Sequence, residues 1–234
     1  MSDYGLVIKN SAGKVVIDSV YKNYTYYESG TSSLVPGINE ISITNTTSHL
    51  VLVLKPNTDA YMIPYGFLDT TTPGTFESIM IAADATCECE WILYRDGQTT
   101  TTNDNGLIIY DSTANVIFNS NETGYVNILN HYYWSLTAND ETATNDITVN
   151  DSNNYFNIQG TINLTKTVSL VARYYQVGFK KIDSTTVRMG HVITKSHSVS
   201  VAHPTAQGSL YPMTIIEYKA PPSIWYFSEH IYKQ

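Results

Sequence analysis

The sequence predicts an all-β protein made of two tandem antiparallel β-sandwich modules related by internal duplication. Three observations point there. Short runs with alternating apolar residues recur along the whole chain. Thr, Ser, Asn and Tyr dominate the polar share, with 19 tyrosines in 234 residues, and β-branched and aromatic side chains suit a pleated, half-buried surface. Finally, one stretch occurs twice. YGLVIKNSAGKVVIDS at Tyr4–Ser19 returns as NGLIIYDSTANVIFNS at Asn105–Ser120, an offset of 101 with six of sixteen positions identical.

The opening stretch reads as a β-hairpin. Leu6 and Ile8 point one way, Asn10-Ser11-Ala12-Gly13 turns, and Val15 and Ile17 return. Asn opening the turn and Gly closing it fit a type I turn followed by a left-handed residue. The second copy keeps the phase through Leu107, Ile109, Val116 and Phe118. Ala114 replaces Gly13, and Ala disfavours positive φ, so this hairpin is expected to differ by one residue at its tip.

A Tyr-rich strand follows each hairpin, YKNYTYYES first and TGYVNILNHYYWSL second, with Tyr24 and Tyr125 again 101 apart. INEISIT, HLVLVLK, ESIMIAA and CECEWILYR complete the first half. NYFNIQGTINLT, TVSLVARYYQVGFKKI, TVRMGHVI and HSVSVAH look similar in the second, with a hairpin turn expected at Asp183–Thr186. The polar stretch RDGQTTTTNDN, Arg95–Asn105, marks the boundary. The expected modules are residues 1–98 and 99–220, followed by an aromatic docking segment, 221–234. The alternative is one larger two-sheet domain whose halves exchange strands.

Charge narrows the function. The net charge is −8 and the pI about 5.1. A phosphate backbone is repelled on average, so nucleic acid is not an expected partner. The start, Met1-Ser2-Asp3-Tyr4, shows no basic segment leading into an apolar run, so a cytosolic product without a secretory signal is expected. The longest aliphatic run, Leu50–Leu54, is far short of the ~20 residues a spanning helix needs, and membrane insertion is not expected. In that setting the Asn-x-Thr sequons at Asn23, Asn45, Asn121 and Asn163 are compositional accidents. Cys87 and Cys89 alternate on one strand face with Trp91 and Leu93, which reads as small buried hydrophobes.

The sequence contains no Gly-x-Ser-x-Gly, His-Glu-x-x-His, Walker or dinucleotide motif. No enzyme, cofactor or metal is expected. His191, His197 and His203 are six apart; along one strand that is ~20 Å per step, too far to share an ion. The stretch Thr137–Asn154 is dense in oxygen ligands, and a calcium site would draw on Asp140, Glu141, Asp146 or Asp151, but the Asp-x-Asp-x-Asp-Gly pattern is missing. It reads as a mobile polar loop. At the carboxy end, Ile224, Trp225, Tyr226 and Phe227 follow Pro221-Pro222. They close the protein's own sheet as a last strand or dock against another subunit, where such anchors are common.

The string Tyr-Gly-Leu-x-Ile-x-Asn-x-x-Gly-x-x-x-Ile-Asp-Ser, Tyr4–Ser19, resembles the opening of small structural proteins of tailed bacteriophages, the minor tail, tail-tip and tail-fibre proteins. The resemblance covers the first ~30 residues and returns weakly at Gly106–Ser120. It implies a non-enzymatic virion component, made in the host cytoplasm and assembled into the tail with copies of itself and other tail proteins. Rigid β modules with many tyrosines suit such symmetric contacts. The alternative is a receptor-binding or lectin-like tail module that recognises the host surface, with Tyr132, Tyr133, Trp134, Asp140 and Asp146 as contact candidates. Hydrolysis of surface glycans is a third class, for which no carboxylate pair is singled out.

Overall fold

The computed structural model describes residues 7–9, 15–18, 24–96, 108–110, 116–119, 128–134, 143–159, 164–168, 171–198 and 213–219. Among these every regular element is a strand: β1 Val7–Lys9, β2 Val15–Asp18, β3 Tyr24–Leu34, β4 Gly37–Thr46, β5 Leu50–Leu54, β6 Met62–Asp69, β7 Phe76–Ala83, β8 Cys87–Asp96, β9 Ile108–Tyr110, β10 Val116–Asn119, β11 Ile128–Trp134, β12 Asn145–Thr148, β13 Tyr155–Gln159, β14 Leu164–Val168, β15 Val171–Lys181, β16 Thr186–Ser198 and β17 Met213–Tyr218. The protein is all-β, as its alternation predicts.

Two antiparallel sheets carry the fold. One has six strands in the order β3-β8-β5-β13-β17-β11. The other has β4-β7-β6-β15-β16-β12, with β14 paired to β15. Each sheet therefore takes three strands from the first half and continues into strands of the second. Read inward from either edge, the halves use their strands in the same sequence. The junction is one residue pair in each sheet, Leu54 opposite Phe156 and Met62 opposite Phe179.

These four side chains are fully buried and sit in one apolar cluster with Leu34, Ile79, Ile81, Cys89, Trp91, Leu93 and Met189. The Phe156 and Phe179 rings meet at 6.0 Å between centroids. Burial of each such side chain contributes about 1.5–3 kcal/mol. The core thus runs through the junction rather than stopping at it. Cys87 and Cys89 are buried and unpaired on the inner face, and burial pushes the Cys87 thiol up to about 11.

Alternation decides which face each residue takes. On β8, Cys87, Cys89, Trp91 and Leu93 point into the core, while Ile92 and Tyr94 join a second cluster with Val53, Ile216 and Tyr218 on the other face. The β3–β4 corner is tight, and Gly37 has φ +106° there, where a side chain would be strained.

Three expectations meet the structure as follows. First, the two short hairpins share one register over their described pairs. Ile8 pairs Ile17 and Lys9 pairs Val15; Ile109 pairs Phe118 and Tyr110 pairs Val116. Each pairing recurs at an offset of 101, each with an irregularity at the same step. The one-residue difference expected at the tips, residues 10–14 and 111–115, falls outside the described residues. Second, the described part of Thr137–Asn154 is no free loop. Residues 145–148 form β12, and 149–154 are pinned by hydrogen bonds given below. Third, two strands escaped the sequence reading. β6 carries Pro64 and Gly66 at a register shift, which hides its period. β17, MTIIEY, has an apolar pair followed by a buried glutamate.

Candidate functional site

Registers across the six-stranded sheet align one row of residues: Gly30, Trp91, Leu54, Phe156, Glu217 and Asn130. The row places Glu217 in the second half where Trp91 stands in the first. Ser32 and Tyr132, two residues beyond Gly30 and Asn130, also correspond. Both inner partners touch these residues. The Trp91 Nε1–H donates to Ser32 Oγ at 3.1 Å, and the Tyr132 hydroxyl donates to Glu217 Oε2 at 2.6 Å.

Glu217 is 0% exposed. A buried carboxylate is costly unless its lone pairs are filled, and here they are. Oε2 also accepts from Asn150 Nδ2 at 3.0 Å and the Asn150 backbone N–H at 3.4 Å. Oε1 accepts from Asn154 Nδ2 at 2.7 Å and the Asp151 backbone N–H at 3.2 Å. Every one of these groups donates, which matches the acceptor-only carboxylate. Burial, then the hydrogen bond to Glu217, pushes the Tyr132 phenol up to about 12. Tyr132 therefore keeps its proton and holds the bond.

The segment pinned by Glu217 also reaches the other sheet. Val149 N–H donates to Thr185 O at 2.8 Å, Ser152 N–H to Ser184 O at 2.9 Å, and Ser152 Oγ–H to Asp183 O. These acceptors lie in the β15–β16 turn expected at Asp183–Thr186. The Asp183 carboxylate accepts from Thr185 N–H at 2.8 Å, which holds its pKa below the usual range. Lys181 Nζ donates to Asn153 Oδ1 at 2.6 Å. One carboxylate thus ties β17 and β11 of one layer, through residues 149–154, to the hairpin of the other. Its chemistry is that of a clamp. It accepts hydrogen bonds and orders a surface segment bearing Asn150, Asp151 and Asn153.

The residues singled out on the sequence fall as follows. Tyr132 is half-buried, packed against the core and engaged by Glu217. Tyr133 and Trp134 lie on β11, opposite Thr214 and Met213 at the sheet edge. Asp146 is opposite Arg188 on β12 and β16, and Arg188 donates both arms of its fork to it at 2.6 and 2.8 Å. That hydrogen-bonded fork holds the Asp146 carboxyl below its ordinary value. Asp151 Oδ1 accepts from Asn153. Among the described residues no three His, Cys, Asp or Glu side chains gather around a point that would hold a metal. Asp140, Glu141 and Ile224–Phe227 lie outside the described residues. His191 and His197 share β16, and His203 lies outside.

Sequence reasoning missed Glu217. Its one signal was a lone acidic residue inside an aliphatic–aromatic run. A search of family models, curated proteins and solved structures returns no match to this chain.

Proposed function

We propose that this chain is a non-enzymatic structural protein of a bacteriophage tail, in the tail-tip or fibre region, assembling with copies of itself and with other tail proteins. The observation that carries the reading is the Tyr4–Ser19 motif, whose hairpin pairing recurs 101 residues later in the same register. We propose also that the halves arose by internal duplication. The strand order common to both halves supports this. A two-layer body with a core continuous through its middle suits a part that carries load between subunits. No nucleic acid or membrane insertion enters the reading, and its location is the virion.

Labelling assembled particles with an antibody to this chain, viewed by electron microscopy, tests the assignment. Label confined to the tail is the expected result; label on the head, or none on intact particles, overturns it. Deleting 221–234 tests the docking segment. Assembly should fail while the fold is retained, and normal assembly of the truncated chain rules the segment out. The receptor-binding alternative loses ground because Tyr132 and Asp146 are engaged within the chain.

A further inference from the structure

The junction between the halves is built from unlike partners at like positions. By register, Leu54 corresponds to Phe156 and Met62 to Phe179, and each faces its counterpart. The first half brings two aliphatic side chains and the second two aromatic rings, all four fully buried. Pairing two first halves would set Leu54 on Leu54 and Met62 on Met62, leaving a gap. Pairing two second halves would crowd four phenylalanine rings. Close-packed interiors tolerate neither change well.

Two further contacts have the same one-way character. Tyr61 of the first half lies over Gly190 of the second, and a Cβ on Gly190 would fall 2.7 Å from the Tyr61 ring. Lys180 Nζ sits 4.7 Å from the centre of that ring. The first-half counterpart of Gly190 is Asp84, which has a side chain where Tyr61 needs none. On the other sheet, Tyr155 of the second half donates its hydroxyl to Glu90 of the first at 3.2 Å. Glu90 also holds Lys55 at 2.7 Å. The first-half counterpart of Tyr155 is Val53, which has no hydroxyl to offer.

We infer that this junction is a heterotypic binding interface: the first half (24–96) recognises the second half (108–219) and not a second copy of itself. The residue 97–107 connection makes that recognition intramolecular. Across molecules, the partner it fits is the second half of another copy of this chain. Specificity of this kind combines fit to one partner with misfit to the other.

The test uses the full chain with a protease site inserted in the 97–107 connection. After cleavage of the folded protein, the two fragments should co-elute as a one-to-one species. Unfolding and refolding a mixture of isotope-labelled and unlabelled cleaved protein should give heteropairs that include the mixed ones, read by native mass spectrometry. Phe156→Leu with Phe179→Met makes the second half present the side chains of the first, and should weaken the heteropair at least about tenfold. Gly190→Ala should weaken it through the Tyr61 ring. Separation of the fragments on cleavage at micromolar concentration, or a homodimer of the first fragment after refolding, overturns the inference, and both outcomes are read on the unsubstituted protein.

Discussion

Trp91 and Glu217 occupy the same place in the two halves, yet they close it by opposite means. Around Trp91 the neighbour is Gly30, and a Cβ there would lie 2.7 Å from the indole Cζ2. The absence of a side chain makes room for the ring, and Ser32 accepts its N–H. Around Glu217 the neighbour is Asn130, and Tyr132 stands where Ser32 does. The first site is dry packing with one polar handle. The second is a filled carboxylate that orders residues 149–154. The lesson is that one backbone plan accepts either solution, provided the facing residues change together. Volume must match in one case and donors in the other.

Glu217→Ala should be the most damaging change at this pair of sites. It leaves the donors on Tyr132, Asn150, Asp151 and Asn154 without their acceptor, and a loss of about 2–4 kcal/mol is expected. Urea unfolding measures it. Hydrogen exchange should quicken at Asn150 and Asp151, while amides around Trp91 stay protected. Equal quickening at both sites would mean that the clamp is not local.

Transplanting one solution into the other half sharpens the comparison. Glu217→Trp alone should fold poorly, because Asn130 fills the space that Gly30 leaves open. Adding Asn130→Gly should recover about 0.5–3 kcal/mol, the range for residues in contact. The converse change, Gly30→Ala, should cost about 1–3 kcal/mol by overpacking Trp91. An additive double mutant would show that the two positions are not equivalent in packing.

Tyr132→Phe removes one donor from Glu217 and should cost about 1 kcal/mol. It should also alter the alkaline limb of stability. The Tyr132 and Tyr94 phenols are pushed from 10.0 up to about 12, in both cases first by burial. Between these values the unfolded chain has lost protons that the folded chain keeps. Stability present below about pH 10 is therefore lost as pH rises towards about 12. Urea midpoints across that window should fall, and fall less steeply in Tyr132→Phe.

The smallest effect is expected at Asp146, whose ion pair with Arg188 is exposed. Asp146→Asn should leave the unfolding midpoint almost unmoved at physiological salt, because exposed ion pairs contribute little. A large shift would place β12 under more strain than its four-residue pairing with β16 suggests.

Local pattern was enough for several features. Alternation in CECEWILYR alone sends Cys87, Cys89, Trp91 and Leu93 to one face, because the side-chain period of a strand is two. The repeated motif specifies two hairpins with the same pairing, since aliphatic positions and loop length travel together in the chain. An all-β fold follows from the same periodicity. The neighbours of each strand do not. β5 meets β13 and β6 meets β15 through single residue pairs about a hundred residues apart in the chain, and such pairing depends on which faces need cover. The Glu217 clamp was equally out of reach. Its donors lie 63 to 85 residues away in sequence, on two separate segments, β11 and residues 149–154. In sequence Glu217 is merely a charge that interrupts an apolar run; only the folded chain supplies the donors that make its burial favourable.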